Sequence, residues 1–278
     1  NGFIRYAEYS SDNKRILALG NDINIIDAGS GETLLTLKGG DQRLRVSQRY
    51  IHDAHFSPDC KKVVAAFEDE TTRLYDVASG KLLAEILDEG PVTSALFSPD
   101  GKLLVTIADE AKVWDITKGK LLHTVSVPGY DADFSKDGDL IAVAGTILKA
   151  ASGEIIQTLK GHNKPITKVK FSANGKKLLT ASEDSTAKIW DIKQGKVLAD
   201  FKGEIKPVKF AMYLQGRDKI LISDLGNSLK ILDPSSGDIF KEYIGHDISP
   251  YRAAVSRDGS RMATVSADHI IIVWDVVE

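Results

Sequence analysis

The chain has 278 residues, 27% of them charged, a formal net charge of −3 and a single cysteine. That balance lacks the basic stripe that nucleic acid would demand. The longest apolar run, Ile270 to Trp274, is far short of the ~20 residues a spanning helix needs, so no membrane role is expected. Cys60 has no second cysteine to pair with, which excludes an internal disulfide framework and suits a reducing, cytoplasmic setting.

In chain order, short apolar runs alternate with turn residues, and nothing leaves room for a helix of normal length. A first run at Phe3 to Tyr9 is followed by a turn at Ser11-Asp12-Asn13. A later run ends at Ile26-Asp27, before Ser30-Gly31. The same grammar returns with turns at Ser57-Pro58-Asp59, Ser98-Pro99-Asp100-Gly101, Ser135-Lys136-Asp137-Gly138, Ser172-Ala173-Asn174-Gly175 and Ser256-Arg257-Asp258-Gly259. Proline presets the first corner, while Asp, Asn and Gly tolerate the reversal, so these are backbone demands rather than site signals. Apolar runs closed by Asp, or by Lys149 in one copy, recur at Asp27, Asp76, Asp115, Lys149, Asp191, Asp233 and Asp275, with steps of 49, 39, 34, 42, 42 and 42 residues.

A period near 40 describes an array of one supersecondary unit that buries its apolar face only against its neighbours. The units fall at about 2–40, 49–89, 90–128, 129–161, 165–203, 207–245 and 250–278. In the fifth, strands are expected at Ile166–Phe171, Lys176–Ser182, Thr186–Ile192 and Lys196–Phe201. Radial arrangement of such units leaves only short, protected edges. The expected fold class is therefore all-β: a seven-bladed β-propeller of four-stranded antiparallel blades, forming a single domain over 1–278. The seventh unit stops just after its third strand. Either the last blade has three strands, or its closing strand belongs to sequence outside this chain, a reading that Asn1 in place of an initiator Met also favours. An unfinished blade offers its edge to a strand from another chain.

The fifth and seventh units carry Gly161-His162, Ser182, Asp184 and Trp190-Asp191, and Gly245-His246, Ser266, Asp268 and Trp274-Asp275. In both, His to Asp is 22 residues and Asp to Trp is 6. With Trp114-Asp115 in the third unit, this pattern resembles the WD40 repeat family (beta-transducin-like β-propellers) along essentially the whole chain. The resemblance implies that His162, Ser182, Asp184 and Trp190, and likewise His246, Ser266, Asp268 and Trp274, form a structural relay. In it the indole donates to Ser, Ser to His, and His to Asp. A Ser-His-Asp set also suggests catalysis, but a catalytic site is made once and this set occurs twice. A relay that satisfies every buried member locks the blade.

The remaining units are degenerate. The second has Asp69 and Tyr75 but Ser47 at the His position, and the third keeps Asp109 and Trp114 without a His. His52 and His55 are expected on opposite faces of one strand unless a bulge intervenes, and His123 and His269 as isolated surface residues. No metal set, nucleotide loop or nucleophile motif appears, so no catalytic residue, metal or cofactor is expected.

Function is expected in the places that break the period. The 49-residue step inserts Arg43, Arg45, Arg49 and Tyr50, residue types enriched at interface hot spots. Glu68, Tyr130, Glu183, Tyr251 and Arg252 are expected on the same loop face. The resemblance implies a non-enzymatic platform that docks protein or peptide partners there. Two alternatives stay open: a regulatory or sensor module of a catalytic domain outside this chain, and a propeller hydrolase or lactonase. The latter needs polar side chains converging from the innermost strands, and Val92–Phe97 and Ile166–Phe171 offer none.

Overall fold

The computed structural model describes residues 4, 6–38, 50–127, 129–202, 208, 210–214, 219–223, 227–248, 250–255, 260–266, 268 and 270–276, with backbone alone for Lys202, Tyr251, Arg252, Ala254 and Ile271. Every regular element among them is a β-strand. The chain divides into two compact units, residues 1–132 with 149–154, and residues 133–148 with 155–278.

The first unit holds three antiparallel meanders in which chain order is sheet order. They are β1–β4 (Tyr6–Tyr9, Arg15–Leu19, Ile23–Asp27, Thr33–Leu37), β5–β8 (Ile51–Phe56, Lys62–Phe67, Thr71–Asp76, Leu82–Leu87) and β9–β12 (Ser94–Phe97, Leu103–Ile107, Ala111–Asp115, Lys120–Val125). The second unit continues with β13–β16 (Ala132–Phe134, Leu140–Val143, Thr146–Lys149, Ile155–Thr158) and β17–β20 (Ile166–Phe171, Lys177–Ser182, Thr186–Asp191, Lys196–Lys202). Next come β21–β24 (Phe210–Tyr213, Ile220–Ser223, Ser228–Leu232, Ile239–Ile244) and a three-stranded sheet, β25–β27 (Pro250–Val255, Arg261–Ser266, Ile271–Asp275). The fifth-unit strands lie within one residue of their expected bounds.

Apolar faces are buried between successive sheets. In the first unit Leu17, Ile25, Ile51, Val63 and Phe67 share one cluster. In the second, Leu179, Ile189, Ile220 and Leu232 share another. This is the stacking that the period demanded.

The first turn of the unit is one hydrogen-bonded device built repeatedly. Ser10 Oγ donates to Asp12 Oδ1 (2.6 Å), while Lys14 N donates to that carboxylate and Arg15 N to the Ser10 hydroxyl. Ser57/Asp59, Ser98/Asp100, Ser135/Asp137 and Ser172/Asn174 repeat the pairing. The residue after Asp or Asn takes a left-handed φ, which Gly101, Gly138 and Gly175 accept freely, whereas Cys60 holds φ 59° as a side-chain-bearing exception.

All six four-stranded sheets carry a register shift at the same place, between the third and fourth strands. In β19–β20, Ile189 pairs with Ala199 and Trp190 with Val197, so Leu198 is the extra residue. This explains an apolar doublet after the third-strand turn in five of the six: Leu82-Leu83, Leu121-Leu122, Ile155-Ile156, Val197-Leu198 and Ile239-Phe240. A bulge on an edge strand twists it and spoils it as a template for further pairing. The three-stranded sheet lacks that cover among the described residues. Val273, next to Trp274 on β27, is 63% exposed, while its counterparts Val113 and Ile189 are fully buried.

Candidate functional site

In the β17–β20 sheet, Trp190 Nε1 donates to Thr180 Oγ1 (2.8 Å), which lies 2.7 Å from His162 Nε2, and His162 Nδ1 lies 2.8 Å from Asp184 Oδ2. The β25–β27 sheet repeats it. Trp274 Nε1 donates to Thr264 Oγ1 (2.7 Å), His246 Nε2 is 2.8 Å from that hydroxyl, and His246 Nδ1 is 2.7 Å from Asp268. The hydroxyl in each chain is therefore a threonine, not Ser182 or Ser266 as expected. Register decides this. Leu178 pairs with Trp190, so Thr180, two residues along the same face, meets the indole, while Ser182 is a further two residues away. Ser182 Oγ instead donates to Lys164 O and accepts from Asp184 N, and Ser266 Oγ donates to Ile248 O.

Protons run one way along the chain: indole to threonine, threonine to His Nε2, and His Nδ1–H to carboxylate. Burial pushes the His162 pKa down despite Asp184, so the ring is neutral. Burial raises the Asp184 pKa, but Thr186, His162 and the Asn163 N–H overcome it and hold it at about 2. The preceding glycines are required by close approach. A Cβ on Gly161 would lie 3.0 Å from the Trp190 ring, and one on Gly245 2.9 Å from Trp274. With His162 and Asp184 only 3% and 6% exposed, the set has no room for a substrate.

The first unit closes the same chain with charge. Trp114 Nε1 donates to Thr106 Oγ1 (3.1 Å), and Thr106 donates to Asp88 Oδ2 (3.2 Å), with Lys112 Nζ 2.7 Å from the same carboxylate. The carboxylate of this chain is Asp88, not Asp109. In three of the sheets whose aromatic position lacks Trp, the corresponding hub is apolar: Ala18, Ala65 and Ile222 in place of threonine. In the β5–β8 sheet Arg73 links Asp69 and Glu85 (2.7 Å each) and stacks on Phe67.

A further cluster joins first strands. His55 lies between Glu8 (2.8 Å) and Asp53 (3.1 Å), Ser94 Oγ donates to Asp53, and Phe56 N donates to Glu8. Burial would depress the His55 pKa, but Asp53 and Glu8 push it up to about 10. In the second unit Asp133 receives Lys170 Nζ (2.6 Å) and Phe171 N (2.8 Å). First strands thus do bring polar side chains together, which Val92–Phe97 alone did not disclose. A register shift between Ile51 and Asp53 separates the two histidines, and His52 pairs with Glu68 (2.6 Å). His123 is held by Ala151 O (2.7 Å) rather than isolated.

Of the expected partner-binding residues, Tyr50 and Glu68 come together. Glu68 N donates to Tyr50 O, and His52 meets the Tyr50 ring edge-on at 4.8 Å while binding Glu68. Tyr50 is 44% exposed. Tyr130 is exposed between β12 and β13, and Glu183 occupies the β18–β19 turn with its N–H on Pro165 O. Tyr251 and Arg252 are placed by backbone alone, in β25. Arg43, Arg45, Arg49, Ser47 and His269 lie outside the described residues. Among the described residues no three His, Cys, Asp or Glu side chains are placed to hold a metal ion, and no helix is long and apolar enough to cross a membrane.

The family model "WD domain, G-beta repeat" matches residues 153–191 and 237–275, the two stretches that carry complete His-containing relays. The chain thus carries WD40 repeats in these two stretches. Its relatives include the COMPASS component SWD3 of Saccharomyces cerevisiae, 33% identical over 49% of each chain. The serine-threonine kinase receptor-associated protein of Dictyostelium discoideum is 25% identical over 67% of this chain and 65% of its own. Cell division cycle 20.5, cofactor of APC complex, of Arabidopsis thaliana is 28% identical over 46% and 32%. The chain spans about half the length of the yeast relative. Each matched WD40 repeat starts just ahead of the fourth strand of one sheet and ends with the third strand of the next, so sequence repeat and sheet are out of phase.

Proposed function

We propose that this WD40 chain is a non-enzymatic interaction platform, a seven-bladed propeller that docks a protein or peptide partner on the face bearing the second-to-third strand turns. The observation that carries this reading is the Tyr50–His52–Glu68 cluster: an exposed aromatic ring fixed by a histidine–carboxylate pair at the mouth of the longest connection. Rigid aromatic anchors flanked by charge are the usual energetic centres of interfaces. Six four-stranded sheets and one of three support the blade number, and relatives named as complex components or cofactors support a protein partner. Burial of both His–Asp pairs speaks for structure over catalysis.

The test is cross-linking capture with wild type, a Tyr50→Ala/Glu68→Ala variant, and Arg43, Arg45 and Arg49 changed together to Ala. A partner held by wild type and lost from both variants, with unchanged melting, supports this face. Identical partner sets from all three dismiss it.

A further inference from the structure

The β17–β20 sheet is the basic part of an acidic chain. Between Lys160 and Lys202 stand ten lysines, four carboxylates and no arginine, while the whole chain carries −3. Four of those lysines meet at the end of the sheet that bears its first and third turns. Lys177 pairs across the strands with Asp191, and Asp191 with Lys196, so the three side chains form one row on one face. Ile192 N donates to Lys176 O (3.1 Å), which sets Lys193 beside Lys176. Lys176, Lys193 and Lys196 are exposed and Lys177 is half-buried. The sheet's lysine ion pairs among the described residues are Lys170–Asp133 and Lys188–Asp200, and none of these four lysines forms one. Asp191 spends its carboxylate on its own turn, accepting from Gln194 N at 2.7 Å.

The β5–β8 sheet isolates the difference. There Lys61, Lys62 and Lys81 take the places of Lys176, Lys177 and Lys196, but two carboxylates, Asp59 and Asp76, stand among them. Elsewhere this end is neutralised by ion pairs such as Lys118–Asp115 (3.1 Å) and Lys219–Asp233 (2.8 Å). Two residues turn the balance in the β17–β20 sheet. Lys193 replaces the neutral Ala78 in the third turn. Asn174 accepts from Ser172 Oγ and Lys176 N, as Asp59 accepts from Ser57 Oγ and Lys61 N. The turn needs only an acceptor oxygen, so the fold does not account for the missing charge.

We propose that this end of the β17–β20 sheet docks an acidic segment of a partner protein, a run of Asp or Glu side chains lying across Lys176, Lys177, Lys193 and Lys196. Lysines are mobile point charges that suit a run of carboxylates, whereas a phosphate clamp calls for the planar fork of arginine. Single-stranded nucleic acid calls besides for an aromatic platform on which bases stack. This end has no arginine, and its aromatic rings, Phe171 and Trp190, are buried. The first and third turns lie at the opposite strand ends from the second turns. The surface is therefore distinct from the Tyr50–His52–Glu68 cluster and does not depend on a partner docking there.

The experiment is titration of a labelled, capped hexaglutamate peptide with the full chain at low salt, read by fluorescence anisotropy. Unlabelled hexaglutamate, capped hexaserine, dodecathymidylate and phosphatidylserine vesicles serve as competitors. Wild type should bind the peptide, release it as salt rises and ignore hexaserine. Lys193→Glu/Lys196→Glu should bind about tenfold more weakly, since two surface attractions become two repulsions. Both positions are exposed, so its melting should match wild type. Lys61→Glu/Lys81→Glu changes the net charge equally on the β5–β8 sheet and should bind within about twofold of wild type. Asn174→Asp keeps the turn and should weaken binding about threefold. Absence of binding, or equal losses in the two double variants, overturns the site. Binding unmoved by Asn174→Asp overturns the role of the neutral turn. Stronger competition by dodecathymidylate or the vesicles than by unlabelled hexaglutamate, at equal concentration of charge, overturns the protein partner.

Discussion

The two compact units hold equivalent Trp–Thr pairs and finish them in opposite ways. In the second unit a neutral imidazole passes the chain on to a carboxylate: Trp190, Thr180, His162, Asp184. In the first, the carboxylate of Asp88 takes the threonine proton directly and is neutralised by Lys112. The constant element is an indole N–H that burial obliges to find an acceptor, and threonine supplies it in all three sheets that contain Trp. What lies beyond the threonine is free to vary, provided the last member ends on something satisfied. The histidines show the same divergence. His55, between two carboxylates, is held charged, while His162, with one carboxylate and a hydroxyl, is held neutral.

The contrast is broken most severely at Asp88. Its side chain is 1% exposed and that of Lys112 12%, so Asp88→Ala leaves a largely buried ammonium unpaired and should cost about 3 kcal/mol in denaturant unfolding. A loss below about 1 kcal/mol would show that the charge finds water and that the pair is not a lock. Next comes the hub. Thr180→Val strands both the Trp190 N–H and His162 Nε2 and should cost about 2 kcal/mol, whereas Ser182→Ala should cost less, about 1 kcal/mol. If the order of the two reverses, the serine carries the relay after all. The smallest and most diagnostic effect is in pH. His55 has a folded pKa raised to about 10, so its contribution is complete below the ordinary 6.5 and is lost as pH rises toward 10. His162 has a folded pKa below 6.5, so its contribution is complete above 6.5 and is lost as pH falls. His55→Gln should therefore cost about 1 kcal/mol at pH 6 and nothing above pH 10, a modest figure because the ring is part-exposed. His162→Gln should cost more at pH 8 than at pH 5. Parallel pH profiles for the two variants would erase the distinction.

The strands and the Ser-x-Asp turns were legible because each follows from local backbone chemistry repeated at a fixed period. The relay was legible in its ends, Trp190 and Asp184, and misread at its centre. Thr180 and Ser182 share a face, and only the pairing of Leu178 with Trp190 selects between them. Asp88 escaped for a related reason. It lies 26 residues before Trp114, where His162 lies 28 before Trp190, and a fixed-offset comparison passes over it. The Glu8–His55–Asp53 cluster is assembled by two strands of two sheets, so no single segment announces it. Tyr50 and Glu68 were each legible as loop-face residues, but the link through His52 depends on a register shift that sequence spacing hides.

The half-step between sequence repeat and sheet has a mechanical consequence. Residues 153–191 and 237–275 each begin ahead of one sheet's outer strand and finish on the third strand of the next, as bricks overlap the joints of the course below. No cut placed at a repeat boundary separates two whole sheets, and no cut placed between sheets frees a whole repeat. Excising one repeat therefore leaves three strands of one sheet to be completed by the fourth strand of the next, and a duplicated repeat enters the array by splitting a sheet and completing it again with its own strands.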